Sequence, residues 1–294
     1  PMPLKFYGAH TGRWSGADGL NPQNFTRGSE LRRSIIAPPG YVLLVADLAQ
    51  IELRINMWFC HEDYWLGILR EGGDIYIASA AQHFGIPLTE VTKSQRFFGK
   101  TAELGLGYQC GWQKFRTICA LRDINLTEEE AFQTVQTYRL THPCINSKWL
   151  FLSNQLNGMY NEHYAHYDGP VCYVHEGILL PNGMRLDYSG LTPHENGNWT
   201  YGLGRKFTYI DGGKMLENIV QALARIVLGQ QMLEIHRRGI HIASSTHDEV
   251  LMIVRESEAE AVQAEVEAIM RTPPDWAPDL PLDVEAGFAR EYSK

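Results

Sequence analysis

The chain has 294 residues, of which 44% are hydrophobic and 20% are charged. This length can bury the core of one large domain or of two smaller ones. No apolar run approaches the roughly 20 residues that a membrane-spanning helix needs, and the first residues are not a signal peptide, so we expect no membrane partner. The formal net charge of −8 weighs mildly against a nucleic-acid partner, because phosphate neutralisation depends on lysine and arginine.

The cysteine content indicates the redox compartment. The five cysteines are an odd number, and no two of them have the C-x-x-C spacing. We therefore expect reduced, partly buried thiols and a cytoplasmic location.

The N-terminal part of the chain predicts one buried strand followed by helices. Residues 41–46, YVLLVA, form a continuous apolar run that is typical of a buried strand ending at Asp47. Helices are predicted over residues 50–59, 74–84 and 94–108, the second with Asp74 as its N-cap.

The C-terminal part predicts further helices and strands. A capping box at Thr127 and Glu130 opens a helical stretch over 127–167 that Pro143 breaks once. Residues 171–203 are rich in turns, with a hairpin turn at 181–183. The remaining predicted elements are a helix over 215–238, strands over 240–245 and 249–254, a helix over 257–270 and a strand over 282–286. Strands near both ends of the chain with helices inserted between them indicate an α+β fold.

Two aspartates are candidate metal ligands. Asp47 follows an apolar strand, and Asp248 lies in the tight connection between two predicted strands. If the strands are neighbours, the two carboxylates form a hard-oxygen site suited to Mg²⁺. Two such ions about 4 Å apart can activate an attacking oxygen and stabilise a leaving one. The alternative is that both are ordinary turn or cap aspartates.

One helix face is a candidate triphosphate site. Within the predicted helix 94–108, the side chains of Arg96, Lys100, Leu104 and Tyr108 recur every four residues and share a face. The two cations would bind phosphates, and the tyrosine offers an aromatic plane for a base. The alternative is a solvated basic helix edge with a leucine and a tyrosine in the core.

These elements, in this order, resemble the motifs of family A (polymerase I-like) DNA polymerases. Residues 47–54, DLAQIELR, resemble D-Y-S-Q-I-E-L-R, residues 96–108 resemble R-x-x-x-K-x-x-x-F-G-x-x-Y, and residues 247–249 are the H-D-E motif. Residues 11–15 with 21–24, residues 31–38 and residues 217–221 are similar to three further segments, the last in a wording seen in phage members. Leu104 departs from the pattern, because the family usually has an aromatic residue there.

The resemblance implies a domain arrangement. It predicts an antiparallel-sheet palm over residues 1–62 and 206–294, with a largely helical fingers insertion over 63–205. The chain begins where the palm of the family begins, so thumb and exonuclease domains are expected to be absent from it. We then expect weak, salt-dependent DNA binding and distributive synthesis, unless a processivity partner or a partner bearing a thumb or exonuclease assists.

The resemblance also implies roles for single residues. Metal ligands would be Asp47, Asp248 and the carbonyl of Leu48, with Glu249 as a secondary acidic residue near the metals. Lys100 would be a phosphate ligand and the general acid for the leaving pyrophosphate. The implied substrate-binding residues are Arg96, Lys100, Leu104, Tyr108, Glu52, Gln50 and Tyr76, and Glu52 would exclude a 2′-hydroxyl while hydrogen-bonded to Tyr108. The implied DNA-binding residues are Arg13, Asn24, Arg32, Gln221 and His247.

The function implied is template-directed addition of deoxynucleotides to a primer 3′-OH. Two Mg²⁺ ions, or Mn²⁺ in their place, would be the cofactors, and primer-template DNA and deoxynucleoside triphosphates the partners. The phage-like wording favours phage or plasmid-type replication in a bacterial host cytoplasm. Two alternatives stay open, namely a non-catalytic or accessory DNA-binding protein that keeps the fold, and a polymerase that tolerates ribonucleotides.

Overall fold

The structure is a computed structural model that describes residues 4–17, 21–26, 28–202 and 206–292. The α-helices in these ranges are α1 (Glu30–Arg33), α2 (Ile51–Cys60), α3 (Asp63–Arg70), α4 (Ile75–Phe84), α5 (Lys93–Leu106), α6 (Trp112–Ala120), α7 (Glu128–Thr141), α8 (Pro143–Met159), α9 (Gly212–Arg237) and α10 (Ala259–Arg271). The strands are β1 (Leu4–Lys5), β2 (Ser15–Gly16), β3 (Tyr41–Leu48), β4 (Ala165–Asp168), β5 (Val171–Val174), β6 (Gly177–Leu179), β7 (Arg185–Asp187), β8 (Thr192–Pro193), β9 (Trp199–Tyr201), β10 (Thr208–Ile210), β11 (His241–Thr246), β12 (Glu249–Arg255) and β13 (Val284–Ala289). None of the helices in the described ranges is both long enough and apolar enough to cross a membrane.

The chain folds into two compact units. The first contains residues 1–52 and 221–294, and the second contains residues 53–220. The predicted palm and fingers boundaries, after residues 62 and 205, stay predictions, and residues 203–205 lie outside the described residues.

The first unit is built on a four-stranded antiparallel sheet in the order β11-β12-β3-β13. The central strand β3 is buried from Val42 to Ala46, which explains why its sequence is continuously apolar rather than alternating. One face of the sheet packs Leu43, Val45 and Leu251 against Tyr292. The four strands predicted from the sequence are all present, and their antiparallel pairing confirms the predicted sheet.

The second unit is largely helical, with two small antiparallel sheets, β4-β5-β6-β7 and β10-β9-β8. Local capping signals define several helix ends. Asp74 caps α4 by accepting hydrogen bonds from the N–H groups of Tyr76 and Ile77 at 2.9 and 3.1 Å. Thr127 and Glu130 form the predicted capping box of α7. Together with the sheet of the first unit, this confirms the predicted α+β class with a helical insertion.

Two helix predictions are wrong at their C-terminal ends. The helical stretch predicted to residue 167 ends as α8 at Met159, and the chain continues as β4, whose residues pair with β5. A β-carbon on Gly158 would lie 2.3 Å from the ring of Tyr164, so the chain folds back on itself at this point. Helix α5 ends at Leu106, and Tyr108 therefore follows the helix instead of sharing its face. Helices α1, α3 and α6 were not predicted.

The cysteines are buried or half-buried as predicted, and the reduced state of their thiols stays a prediction. All five are free, and four of them are buried. Burial raises the pKa of the Cys60 thiol, and it raises that of Cys119 to about 11. These thiols therefore stay protonated near neutral pH and behave as small apolar groups of the core.

Candidate active site

The two candidate metal ligands lie at the same end of adjacent strands in the first unit. Asp47 is directly opposite Glu249 in the antiparallel ladder of β3 and β12. Asp248 immediately precedes Glu249, in the turn between β11 and β12. The Leu48 N–H donates to the carbonyl oxygen of Asp248 at 3.1 Å, which extends the ladder past the strand end. The structure thus brings together two aspartates that are about 200 residues apart in sequence.

The electrostatics of this pair indicate a place for a cation. Burial raises the pKa of Asp248 to about 6, and the neighbouring charge of Asp47 contributes to the shift. Glu52 raises this pKa further, while the positive charge of Arg13 opposes the shift. The charge of Asp47 therefore opposes ionisation of Asp248 in a partly desolvated space, and a bound cation would relieve this penalty.

The donor atoms available suit a hard divalent ion. Two carboxylates and the main-chain carbonyl of Leu48 are oxygen ligands, which Mg²⁺ prefers, and Mg²⁺ usually retains waters or substrate phosphates for its other positions. Within the described ranges, no group of three or more His, Cys, Asp or Glu side chains is arranged around a common metal position. Two carboxylates and one main-chain carbonyl would leave the other positions of such an ion open for water or substrate.

Acidic side chains flank Asp47 on both sides, but they differ in environment. Glu249 is 3% exposed, and Arg32 donates to both of its carboxylate oxygens. Glu285 on β13 is opposite Asp47 on the other side and is exposed. Sequence reasoning did not single out Glu285, because its strand was recognisable from the sequence but its partner strand was not.

A second group of predicted residues surrounds Arg13. Its guanidinium forms an ion pair with Glu52, and both side chains are about 30% exposed. Arg13 and His247 line the same small crevice, together with Trp14 and Arg225. Burial lowers the pKa of His247, and the positive charge of Arg13 adds to this effect, so its ring is neutral near pH 7. Arg225 was not predicted as a site residue, since helix periodicity alone places it on a long amphipathic helix.

The other residues predicted to contact DNA or substrate in this unit have diverse surroundings. Asn24 is exposed at the end of a single 3₁₀ turn, Pro22–Asn24. Gln221 on α9 accepts a hydrogen bond from Thr11 at 3.3 Å. Gln50 has a φ of 55°, a left-handed conformation that separates the end of β3 from α2. Arg32 is 4% exposed, so its predicted DNA contact stays a prediction.

In the second unit, Arg96 is held by the cap of the preceding helix. Its Nε donates to the second carboxylate oxygen of Asp74 at 2.6 Å, while the first oxygen caps α4. The charged groups of Arg96 and Lys100 lie over the ring of Tyr76, at 5.4 and 5.8 Å from its centre. Tyr76 is buried, so its ring is held in place and makes cation–π contacts with two partly exposed cationic side chains. The sequence indicated the cations and the cap, but not the contact between them.

The end of α5 carries the other predicted residues of this helix. Leu104 is 40% exposed, on a helix that buries Phe98, Ala102 and Leu106. Tyr108 lies in the turn after the helix, and Gln109 next to it has a φ of 61°. The predicted hydrogen bond between Tyr108 and Glu52 joins residues of different units and stays a prediction.

Comparison with known proteins identifies the family. A family model described as DNA polymerase family A matches residues 4–166. The DNA polymerase of Bacillus phage SP02 is 31% identical, over 99% of this chain and 52% of the phage protein. The thermostable DNA polymerase I of Thermus filiformis is 26% identical, over 96% of this chain and 31% of its own length. This chain therefore spans about half of the phage relative and about a third of the Thermus one.

A solved structure shows the same fold. The POL domain of Pol1 from M. smegmatis, in complex with DNA primer-template and dNTP, matches with a TM-score of 0.75 at 22% sequence identity. The match covers 99% of this chain and 47% of that one. The phage relative matches 99% of this chain, and the family model matches more than half of it. The chain therefore belongs to DNA polymerase family A.

Proposed function

We propose that the chain carries out template-directed DNA synthesis, adding deoxynucleotides to a primer 3′-OH. The observation that supports this most directly is the pair Asp47 and Asp248, two mutually repelling carboxylates at the ends of adjacent strands. Such a pair is poorly explained as turn or cap aspartates, because caps do not require a second carboxylate alongside. Family membership supports the same activity.

The first unit would hold the metals. Asp47, Asp248 and the Leu48 carbonyl are the proposed ligands of two Mg²⁺ ions, with Mn²⁺ as a possible replacement, and Glu249 adds an acidic group beside Asp248. Metal bound there supplies charge stabilisation at the attacking and leaving oxygens of an in-line displacement. The contribution of the protein is to fix both carboxylates on a rigid sheet, so that no reorganisation is needed during the reaction.

The second unit would bind the triphosphate. Arg96 and Lys100 are the proposed phosphate ligands over the ring of Tyr76, and Lys100 is the proposed general acid for the leaving pyrophosphate. Asp74 aims the guanidinium of Arg96 through Nε. Leu104, Tyr108, Gln50 and Glu52 complete the proposed nucleotide-binding set, with Glu52 opposing a 2′-hydroxyl.

Primer-template DNA would contact Arg13, Asn24, Gln221 and His247. Arg13 and Gln221 suit minor-groove acceptors, which are shared by all base pairs and therefore test pair shape without reading sequence. The M. smegmatis structure contains DNA primer-template and dNTP, which supports these ligand classes here. The phage relative supports phage or plasmid-type replication in a bacterial cytoplasm as the setting, with a processivity partner assisting.

Metal-dependent primer extension tests the proposal. Wild type should extend a primed template with Mg²⁺ and stop on chelation, and Asp47→Ala and Asp248→Ala should each lose activity by several orders of magnitude. Glu260→Ala, which removes an exposed carboxylate from α10, is the control and should extend like wild type. If the wild type and both aspartate variants bind primed DNA equally and none extends it, the accessory DNA-binding function is correct instead. Equal use of ribo- and deoxynucleotides would contradict the role given to Glu52.

A further inference from the structure

A buried ion pair lies immediately beside the turn that carries Asp248. Nη2 of Arg32 donates to both carboxylate oxygens of Glu249, at 2.9 and 3.0 Å. The side chains of the two residues are only 5% and 4% exposed. An arginine and a glutamate are rarely buried this deeply unless each neutralises the other.

A third side chain completes the cluster. The hydroxyl of Tyr292 donates to Oε1 of Glu249, and its ring lies 3.8 Å under the guanidinium carbon of Arg32. Burial raises the pKa of Tyr292 and the hydrogen bond to Glu249 adds to this, so the phenol keeps its proton as a donor. Glu249 therefore accepts charged and neutral hydrogen bonds from two different chain segments.

The main chain ties these segments together. The N–H of Tyr292 donates to the Ile35 carbonyl at 2.9 Å, and the N–H of Ala37 donates to the Arg290 carbonyl at 2.8 Å. The segment that follows α1 therefore runs beside the C-terminal segment. Arg32 at the end of α1 and Tyr292 are thereby both brought to one carboxylate. The Glu249 main chain is paired with Asp47, and the residue before it is Asp248.

We propose that Arg32 and Tyr292 are positioning residues that act through Glu249 to hold the Asp248 turn in register with Asp47. The inference rests on the proposed polymerase function for its catalytic consequence. It gives Arg32 a role inside the protein instead of a contact with DNA. It gives Glu249 the role of an anchor instead of a direct metal ligand.

Two-metal catalysis requires an exact placement of the two aspartates, and this requirement gives the positioning residues their role. Carboxylates that share ions must be held to within about half an ångström, and a displacement of about 1 Å can cost about 10²-fold in rate. The turn has only two residues, His247 and Asp248, between strands, and His247 has a φ of 55°. A charge-assisted anchor on the next residue fixes the direction of the Asp248 side chain without occupying the metal position.

Single-turnover nucleotide incorporation with saturating primed DNA tests the catalytic part. Tyr292→Phe removes one hydroxyl and keeps the ring, and Arg32→Lys keeps the charge but loses the planar guanidinium that lies over the Tyr292 ring. We expect the single-turnover rate constant to fall about tenfold for Tyr292→Phe and about 10²-fold for Arg32→Lys. DNA affinity and its salt dependence should stay within twofold of wild type. Rate constants are independent of the fraction of folded enzyme, so a loss of stability alone does not produce this result.

The matched control is the neighbouring residue of the same helix. Arg33 is 55% exposed and lies 3.8 Å from Glu291, so Arg33→Lys should leave both rate and affinity unchanged. The double variant Tyr292→Phe with Glu249→Ala should be no slower than Glu249→Ala alone, because without the carboxylate the Tyr292 hydroxyl has no acceptor there. Additive losses would overturn the proposal.

Two other outcomes identify competing roles. If Arg32→Lys weakens DNA binding and reduces its salt dependence while Tyr292→Phe behaves like wild type, Arg32 contacts phosphate and the proposal is wrong. If Glu249→Gln changes the Mg²⁺ concentration needed for half-maximal rate while Arg32→Lys and Tyr292→Phe do not, Glu249 is a metal ligand and the proposal is wrong.

Hydrogen exchange tests the anchor without activity. The Leu48 amide, which donates to the Asp248 carbonyl, should exchange at least tenfold faster in Arg32→Lys than in wild type, while amides in the middle of β3 should not. Unchanged exchange at Leu48 would overturn the proposal. If the wild type extends no primer at all, the proposed function is wrong. The exchange rate of the Leu48 amide still tests whether Arg32 and Tyr292 hold the Asp248 turn in place.

Discussion

Gly99 controls how closely α5 approaches α4, and its replacement by alanine is a sharp test of this packing. A β-carbon at residue 99 would lie 2.3 Å from the carbonyl oxygen of Tyr76 and 3.1 Å from the nitrogen of Ala80. Real β-carbons essentially never approach another atom closer than 3.0 Å, so one backbone must move by about 0.7 Å. Because the clash is with main chain, no side-chain rotation can relieve it.

The energetic expectation combines two opposing terms. Alanine in place of glycine within a helix contributes about 0.5–1 kcal/mol through helix propensity. Overpacking of a closely packed contact costs about 1–3 kcal/mol. We therefore expect Gly99→Ala to lower the free energy of unfolding by about 1–2 kcal/mol. The apparent KM for deoxynucleotide should rise as well, since α5 carries Arg96 and Lys100.

Urea unfolding followed by circular dichroism measures the effect, and Gly67→Ala on α3 is the matched control. Gly67 is also within a helix, but a β-carbon there would meet nothing within 4 Å. Gly67→Ala should therefore stabilise the protein by about 0.5–1 kcal/mol. A Gly99→Ala variant as stable as wild type, or more stable, would show that the close approach of α4 and α5 is not present in solution.

Three other changes have defined expected outcomes. In chelator, Asp248→Asn should stabilise the protein at pH 8 by about 3 kcal/mol at most, because the pKa is raised from 3.8 to about 6 and the charged form is penalised. This penalty is absent below about pH 4 and complete above about pH 6, so a pH-independent difference in urea midpoint between variant and wild type would contradict it. Asp74→Ala removes both the cap of α4 and the ion pair with Arg96 and should cost about 1–2 kcal/mol, whereas Asp74→Asn retains the cap and should cost less than half of that. Burial lowers the pKa of His83 from 6.5, so the folded wild type loses stability as pH falls below about 6.5, and thermal unfolding of His83→Gln should lack this acid-side decline.

Several features of this protein could be predicted from local sequence alone. The apolar run of β3, the Asp74 cap and the Thr127 capping box depend on neighbouring residues, so their positions followed from the pattern and are confirmed. The family was recognisable because its motifs occur in the right order along the chain. The same local signals failed at residues 160–167, where pairing with β5 overrides a helical pattern.

Other features depended on contacts between residues far apart in sequence. No pattern of neighbouring residues shows that Asp74 orients the guanidinium of Arg96, or that Glu285 lies beside Asp47. The burial of Arg32 is equally invisible in the local sequence. The family resemblance implied that Arg32 contacts DNA, which stays a prediction, and only the tertiary structure shows its side chain packed between Tyr292 and Glu249. The order and periodicity of the residues determine which helices and strands form. Strand register and burial determine which charged side chains come into contact. Register and burial arise only when segments distant in sequence pack together and exclude water, so the sequence pattern does not show them.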